Sequence, residues 1–413
     1  MNRDHREVGQ ALDLFTFSEL APGSAIWKPK GTIVYNLLEK LVKDICALNG
    51  YQEVRTPLMW KNDLFRTSGH WDHYKQNMFH VMDHVPEDRT NPIHRTPTPE
   101  NAPYCLKPMN CPGHMELFRS QAWSYRDLPV RFSDHSVLHR NEPTGSLGGL
   151  TRVRSFCQDD AHIFLAPDQI RDEVAGLIKL VNNLYLKTFL LPFDVYLSTR
   201  PKDFMGSVEQ WDHAEAALKA ALGDTHYTVN EGDGAFYGPK IDFRVLAGGD
   251  KEWQTATIQL DFQLPQRFEL KYRAADNSEQ VPVVIHRALY GSFERFIAML
   301  LEAGDGYLPV WLSPVQVAVM SITEDQADYC KVTAAMYQSH GWRAEAWTEN
   351  EPLNAKIRRA EELRIPIMLI CGKREAAGES VSIRRAGSKD LAVTSRSSAI
   401  HMMKTEASLP PLF

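Results

Sequence analysis

A segment between residues 140 and 164 places charged and polar side chains around a glycine-rich turn. It reads RNEPTGSLGGLTRVRSFCQDDAHIF, with Arg140 and Glu142 before the turn and Arg152 after it. Arginine makes bidentate, always-charged contacts to phosphate, and a nearby carboxylate can accept from an adenine amino group or hold Mg2+. For any one of these arginines, the alternative is a solvated, salt-bridged hairpin. Together with Arg295 in SFERF, they favour an ATP site.

Three residues could ligate a metal ion: Cys111, His162 and His286. Cysteine and histidine are the ligands that zinc prefers. The separations of 51 residues (111 to 162) and 124 residues (162 to 286) lack the short spacing that identifies a zinc site in a sequence. From spacing alone, each of the three is more often an ordinary core or surface residue.

The composition is typical of a globular protein with more than one domain. The chain has 413 residues, of which 43% are hydrophobic and 24% charged, and no apolar run reaches membrane-spanning length. The amino terminus lacks the features of a secretory signal, which predicts a cytoplasmic protein. The six cysteines lie far apart and indicate reduced thiols. A formal net charge of −6 leaves RNA binding undecided, because local patches determine it.

Strands predominate among the predicted elements, without the regular alternation of a doubly wound sheet. Apolar periodicity predicts helices at 31–50, 167–190 and 292–302. Strands are predicted at 51–59, where Pro57 favours an edge position, and at 253–262 and 281–285, with a glycine-rich turn entering a strand at 231–244. Five prolines at 84–103 indicate an irregular surface excursion.

A domain boundary is predicted near residues 306–313, where two prolines flank an aromatic turn. After it, strands and helices alternate as a compact α/β unit, and from residue 392 the pattern is weak. We therefore expect one domain at 1–312 and a second at 313–413.

Three segments, NCPGHM at 110–115, the 140–164 segment and IHRALYGSFERF at 285–296, resemble threonyl-tRNA synthetase, a class II aminoacyl-tRNA synthetase, in the same order. The resemblance runs from Arg3 to about Leu391. It implies an α+β fold: a class II antiparallel sheet flanked by helices, followed by an α/β anticodon-binding domain. The helix and proline-containing strand at 31–59 are similar to the dimer-forming first motif of the class, which implies a homodimer.

The reaction implied is activation of L-threonine with ATP and Mg2+, followed by transfer to the 3′ end of tRNA(Thr). In the family, the arginines matching Arg140 and Arg295 contact the α- and γ-phosphates. The resemblance implies that Lys240 stabilises phosphate charge. His70 falls where the family has a histidine near the acceptor end, and our hypothesis is that it assists proton transfer. The resemblance implies ATP contacts from eight residues: Arg140, Glu142, Arg152, Phe156, Gln254, Thr257, Ser292 and Arg295.

The family's amino-acid site is similar at five positions: Met109, Gln158, Asp160, Tyr237 and Gln259. The resemblance also implies one Zn2+ per chain on Cys111, His162 and His286, with open positions for the substrate. Threonine could chelate such a metal through its amino and hydroxyl groups, whereas valine has no hydroxyl and serine should pass. Anticodon contacts are implied for Asn350, Glu375 and Arg384.

The sequence departs from the family in three places: Gly148 stands where a histidine is expected, the 84–103 stretch is extra, and the tail is abbreviated. The family's amino-terminal editing domains are not matched, so we expect either a cut chain or a naturally short form. Two alternatives therefore stay open: a paralogue that passes threonine to a non-tRNA acceptor, and a catalytically silent RNA-binding protein. The retained arginines and ligand candidates argue against the second.

Overall fold

The computed structural model describes residues 3–82, 102–247 and 251–411. They form two compact units: a large unit from 17–25 and 42–297, and a small unit from the described residues of 1–16, 26–41 and 298–412. The proline-rich stretch predicted at 84–103 lies outside the described residues except for its last two positions. Within the described ranges, no helix is long and apolar enough to cross a membrane.

The helices of the described residues are α1 His5–Ala11, α2 Pro29–Leu48, α3 Asn62–Thr67, α4 His70–Tyr74, α5 Cys111–Arg119, α6 Ile170–Asn182, α7 Val208–Leu222, α8 Leu264–Arg267, α9 Phe293–Ala303, α10 Ala327–Ser339, α11 Leu353–Glu362, α12 Lys373–Ala377 and α13 Arg396–Ala407. The strands are β1 Phe15–Phe17, β2 Ala25–Trp27, β3 Gln52–Glu53, β4 Met59–Lys61, β5 His80–Val81, β6 Tyr104–Leu106, β7 Val130–Asp134, β8 Val137–His139, β9 Ser155–Cys157, β10 Asp160–Leu165, β11 Phe193–Ser198, β12 Thr228–Asn230, β13 Lys240–Leu246, β14 Glu252–Asp261, β15 Tyr272–Arg273, β16 Glu279–Gln280, β17 Val283–Ala288, β18 Val317–Ser321, β19 Ala344–Trp347, β20 Ile367–Cys371, β21 Ser380–Arg385 and β22 Ala392–Ser395.

An eight-stranded sheet forms the large unit, in the order β12-β11-β13-β14-β17-β10-β7-β3. Its inner pairs are antiparallel, and only the pairs at its two edges, β11 with β12 and β3 with β7, are parallel. The central strands β10 and β17 are almost wholly buried, and each combines a short apolar run with buried polar residues, His162 on β10 and His286 and Arg287 on β17. The predicted antiparallel sheet flanked by helices is confirmed.

The helix predicted at 31–50 is confirmed as α2, but a continuous strand over 51–59 is wrong. Only β3 joins the large sheet here, while β4 pairs with β6 in a separate three-stranded sheet. Between them, the backbone N–H and hydroxyl of Thr56 donate to the carboxylate of Asp134, at 3.1 and 2.7 Å. Pro57 has no N–H to donate. The Asp134 side chain therefore makes the hydrogen bonds to this segment that a neighbouring strand would otherwise make, at a point where Pro57 would interrupt a strand ladder.

The small unit contains a five-stranded sheet in the order β19-β18-β20-β21-β22, with β18, β19 and β20 parallel. Alternate residues of β18 belong to two different hydrophobic clusters, so helices pack on both faces of the sheet. The segment from residue 392, where the sequence pattern is weak, forms the edge strand β22 and the helix α13. The helix α13 buries Ala399, Ile400 and Met403 against the sheet.

Candidate active site

The three candidate metal ligands meet in the large unit. Cys111 is the first residue of α5, His162 lies on β10, and His286 lies on β17. The two histidines face each other as Cα partners in the antiparallel ladder. One ligand atom from each of the three residues lies within 4.8 Å of the others, and all three residues are buried.

Each histidine uses one ring nitrogen for a second contact and turns the other toward the centre of the group. His286 Nε2 lies 2.8 Å from Asp261 Oδ2, and His162 Nδ1 lies 2.8 Å from His114 Nδ1. The remaining nitrogens, Nε2 of His162 and Nδ1 of His286, lie 3.0 Å apart. Sulfur plus two imidazoles, oriented by outer partners, is a donor set that fits Zn2+.

Burial sets the protonation states of these ligands. It lowers the pKa of His162 well below its ordinary value, with the positive charges of His286 and His114 adding to the effect. Burial also raises the pKa of the Cys111 thiol well above its usual range. The imidazole is therefore held neutral, which is the form that binds a metal, and the thiol would release its proton when a cation binds.

A cavity of about 340 Å³ opens beside these ligands. It is lined by every residue predicted to contact threonine, namely Met109, Gln158, Asp160, Tyr237 and Gln259. The Tyr237 hydroxyl donates to Gln259 Oε1 at 2.6 Å, and the Tyr237 ring stacks on His286 with 4.8 Å between centroids. Asn110 donates to Asp160 at 3.1 Å, and burial raises the pKa of that carboxyl group. The pocket is lined by both polar and apolar side chains, and its one acidic side chain is Asp160.

A second and larger cleft of about 730 Å³ is lined by arginines and hydroxyl groups. All eight residues predicted to contact ATP line it: Arg140, Glu142, Arg152, Phe156, Gln254, Thr257, Ser292 and Arg295. The hairpin of β8 and β9 brings the first four, and the end of β17 with α9 brings the last two.

Two of these arginines have no carboxylate partner in the described part of the chain. Arg140 lies over the Phe156 ring at 4.9 Å and donates only its Nε, to the Pro108 carbonyl. The buried Nε of Arg295 has no hydrogen-bond partner, and burial lowers the pKa of its guanidinium. Arg152, in contrast, pairs with Glu142 at 2.7 Å. Unpaired guanidinium groups on a cleft wall favour an anionic ligand such as phosphate.

The two cavities share one wall, formed by Arg140, Gln158, Thr257, Gln259 and Ala288. A small substrate beside the three candidate ligands would therefore lie next to a nucleotide in the larger cleft. Arg140 lines both cavities, so it lies where a chemical group would be transferred between the two bound molecules.

Two residues predicted to assist the chemistry have different surroundings. The Lys240 ammonium lies 3.0 Å from Asp242 and 3.4 Å from Asp233 and lines neither cavity. His70 lines the smaller cavity, with Nδ1 at 2.8 Å from the Ser68 hydroxyl. Burial, with nearby positive charge, lowers the pKa of His70 to about 3, so its imidazole is neutral at pH 7.

Asp159, which was not among the predicted site residues, organises the site. Its fully buried carboxylate accepts backbone N–H groups of Leu289, Tyr290 and Gly291 at 2.5, 2.9 and 3.1 Å, and Arg287 lies 3.3 Å away. It therefore joins the start of β10 to the turn that leads into α9 and Arg295. The adjacent acids in QDDAH were a possible signal, but the partners of Asp159 lie 128 or more residues away.

Asp242 is a second organising carboxylate that was missed. It accepts from Gln254 and Thr257 on the nucleotide cleft at 2.8 and 3.2 Å, and from Ser198 at 2.9 Å. Lys240 balances its charge. No local pattern on β13 distinguishes this buried aspartate from an ordinary strand residue.

The anticodon candidates lie in the small unit, on three different elements. Asn350 is exposed after β19. Glu375, on α12, accepts from Ser382 at 2.8 Å, and Arg384, on β21, pairs with Glu361 at 3.0 Å. Asn350 and Glu375 follow the carboxyl ends of β19 and β20, which point the same way in the sheet. Arg384 pairs with Met368, near the amino end of β20.

Comparison with family models divides the chain in two. Residues 94–304 match the model described as tRNA synthetase class II core domain (G, H, P, S and T), and residues 316–406 match an anticodon binding domain. The first match contains every residue that lines the larger cleft and all those that line the smaller cavity except His70 and Tyr74, and the second contains the five-stranded sheet.

Curated relatives and solved structures agree with these matches. Proteins named threonine--tRNA ligase from Anaeromyxobacter dehalogenans and Myxococcus xanthus are 46% and 45% identical over 410 residues. These alignments cover 99% of this chain and 62% of each relative, so the chain spans less than two thirds of their length. A structure described as the RNA binding domain of threonyl-tRNA synthetase from Cryptosporidium parvum Iowa II matches with a TM-score of 0.90, 40% identity and 99% coverage of both chains. ThrRS-1 from Aeropyrum pernix matches with a TM-score of 0.83 and 27% identity, over 99% of this chain and 98% of its own.

Proposed function

The chain belongs to the threonyl-tRNA synthetase family of class II aminoacyl-tRNA synthetases, and we propose that it activates L-threonine with ATP and transfers the threonyl group to the 3′ end of tRNA(Thr). The observation that carries this proposal is the shared wall of the two cavities. One cavity lies beside Cys111, His162 and His286. The other is lined by Arg140 and Arg295, which have no carboxylate partner among the described residues. Adenylation requires the amino acid and the nucleotide to bind in adjacent sites, as these two cavities would allow.

In the first step, a carboxylate oxygen of threonine bonds to the α-phosphorus of ATP while the bond to pyrophosphate breaks. Arg140, on the shared wall, would neutralise charge that develops on the α-phosphate, and Arg295 would hold the γ-phosphate. Glu142 would contact the adenine or Mg2+. Fixed donors of this kind act without reorganising, which lowers the barrier most where water is excluded.

The amino-acid pocket accounts for selectivity. When bound to Cys111, His162 and His286, Zn2+ would supply open coordination positions for the amino and hydroxyl groups of threonine. Asp160 would accept from the hydroxyl group, and Tyr237 and Gln259 would close the pocket around the amino acid. A site that requires a hydroxyl rejects valine strongly, whereas serine satisfies the same contacts.

In the second step, a ribose hydroxyl of the tRNA attacks the activated carbonyl and AMP leaves. His70, neutral and within the amino-acid cavity, is our candidate to assist the proton transfer. Lys240 would act from outside both cavities, by keeping Asp242 in place behind Gln254 and Thr257. If His70→Ala leaves single-turnover transfer unchanged, the role of His70 is wrong.

The small unit would read the anticodon through Asn350, Glu375 and Arg384. We also expect a homodimer, with α2 and β3 as part of the interface, and a cytoplasmic location. Light scattering of the purified chain tests the dimer directly.

The decisive experiment is ATP–pyrophosphate exchange with threonine, serine and valine, followed by transfer to tRNA(Thr). We expect exchange with threonine, some with serine and little with valine, and transfer of the product to tRNA. Chelation of the metal should abolish exchange while circular dichroism stays unchanged. Exchange without transfer would favour the paralogue with another acceptor. No exchange by metal-loaded protein would overturn the proposal.

A further inference from the structure

One metal-ligand candidate is held by a second histidine instead of a carboxylate. His162 Nδ1 lies 2.8 Å from Nδ1 of His114, which is completely buried on α5. The other face of His114 looks toward Asp134, whose Oδ2 lies 3.8 Å from His114 Nε2. Asp134 is buried too, and the Lys107 ammonium 3.3 Å away balances its charge. The four side chains Lys107, Asp134, His114 and His162 form a continuous buried row.

The direction of the hydrogen bonds in this row follows from the chemistry of the ligand. For His162 to bind a metal through Nε2, that nitrogen must carry a lone pair, so the ring proton lies on Nδ1. His162 Nδ1 then donates to His114 Nδ1, which must be the unprotonated nitrogen of its own ring. The proton of His114 consequently lies on Nε2, and it points to the Asp134 carboxylate. This assignment gives the His162–His114 contact one donor and one acceptor, whereas His114 Nε2 faces Asp134 Oδ2 at 3.8 Å and makes no hydrogen bond within the described residues.

The two ligand histidines are thus supported differently. Asp261 contacts His286 directly at 2.8 Å, whereas Asp134 can reach His162 only through His114. Histidine ligands normally give their second nitrogen to a carboxylate, carbonyl or water, and this partner fixes the ring and its tautomer. In this chain, the imidazole of His114 makes the hydrogen bond to His162 Nδ1, and the Asp160 carboxylate lies farther from the same nitrogen, at 3.9 Å.

We propose that His114 is a positioning residue of the metal centre: it accepts the Nδ1 proton of His162 and so keeps Nε2 of His162 turned toward Cys111 and His286. This inference rests on the proposed function, because it requires a metal at these ligands. Loss of such an outer partner typically lowers metal affinity about 10- to 100-fold.

Three substitutions distinguish acceptance of a proton from simple packing. His114→Asn can place an amide oxygen near the position of Nδ1, and we expect zinc affinity within a few-fold of the wild type. His114→Gln reaches the position of Nε2 instead, and His114→Leu has no acceptor, so both should bind zinc about 10- to 100-fold more weakly. Met115→Leu, which is buried on the same helix, is the control for disturbance of α5 and should leave affinity unchanged.

Zinc affinity would be measured by competition with a chromophoric chelator, and Co2+ absorption spectra of the full chain would report ligand geometry. Thermal melting verifies that each variant is folded. Equal affinity in all three variants, whether unchanged or equally weakened, would refute the role of His114. If the wild type binds no zinc at all, the proposed metal centre fails and the role of His114 fails with it. A wild type that binds zinc, with unaffected variants, leaves the proposed function intact and overturns only this inference.

Discussion

Replacing Arg140 with alanine should lower kcat/KM for ATP–pyrophosphate exchange by about 100- to 1000-fold. Hydrogen bonds to charged groups contribute about 1.5–3 kcal/mol each. Two bonds from one guanidinium to an α-phosphate, each in the lower part of that range, would supply about 3–4 kcal/mol. Because tenfold in rate corresponds to about 1.4 kcal/mol, this is a loss of roughly 100- to 1000-fold. No carboxylate in the described residues pairs with Arg140, so its removal leaves no buried anion and the loss belongs to the bound substrates.

Two further variants make this prediction specific. Arg140→Lys keeps the charge but loses the planar fork, so we expect an intermediate loss of roughly tenfold. Arg126→Ala, which removes an exposed arginine that lies over the Tyr125 ring, is the control and should leave exchange unchanged. Chemical denaturation should show that Arg140→Ala costs about 1.5–3 kcal/mol of stability, the value of one hydrogen bond from a charged group.

The reasoning would be refuted by an Arg140→Ala protein that is folded, binds threonine and exchanges pyrophosphate within threefold of the wild type. Arg140 would then be a structural residue of the hairpin, held by Phe156 and the Pro108 carbonyl. A rate loss that saturating ATP fully restores would also contradict it, because contacts made only in the transition state lower kcat.

Three other substitutions test separate parts of the site. Tyr237→Phe removes a donor worth about 1 kcal/mol, so kcat/KM for threonine should fall about fivefold with KM for ATP unchanged; equal effects on both substrates would contradict the assignment. Asp159→Asn leaves the buried charge of Arg287 uncompensated and should cost about 3 kcal/mol in urea unfolding; an unchanged midpoint would show that the pair is not needed. Arg384→Ala should raise KM for tRNA about tenfold, a loss of about 1.4 kcal/mol, and leave pyrophosphate exchange unchanged. Arg385→Ala, whose partner is an exposed glutamate, should leave KM for tRNA unchanged. Equal KM values for the two variants would show that Arg384 does not read the anticodon.

The residues that lie in contiguous motifs were predictable from the sequence. The segment around Arg140 and the one around Arg295 each show their chemistry locally, and the structure brings both to one cleft. The same holds for α2, whose apolar periodicity spans its whole length. Such features need only local sequence, because an amphipathic helix is recognisable from its periodicity and the two arginines lie in short segments that resemble the family.

The residues that organise the motifs were not predictable. Asp159 acts on a turn 130 to 132 residues away, and His114 acts on a ligand 48 residues away, so neither leaves a local pattern. The wrong strand at 51–59 has the same origin, since the Asp134 side chain replaces the ladder there. The helix α13 was hidden for another reason: its buried Ala399 is small and its amphipathic pattern is weak.

The register of β10 against β17 also bears on when a metal can enter. His162 and His286 come together only after these two strands have paired, and Cys111 joins them only after α5 has packed. In short zinc-binding modules, the ion gathers neighbouring ligands and drives folding. Under the proposed function we expect the reverse order here, because β10 and β17 must pair before their histidines converge. We therefore expect the chain to fold as an apoprotein and to bind its ion last. A shortage of the metal would then leave the protein folded but inactive.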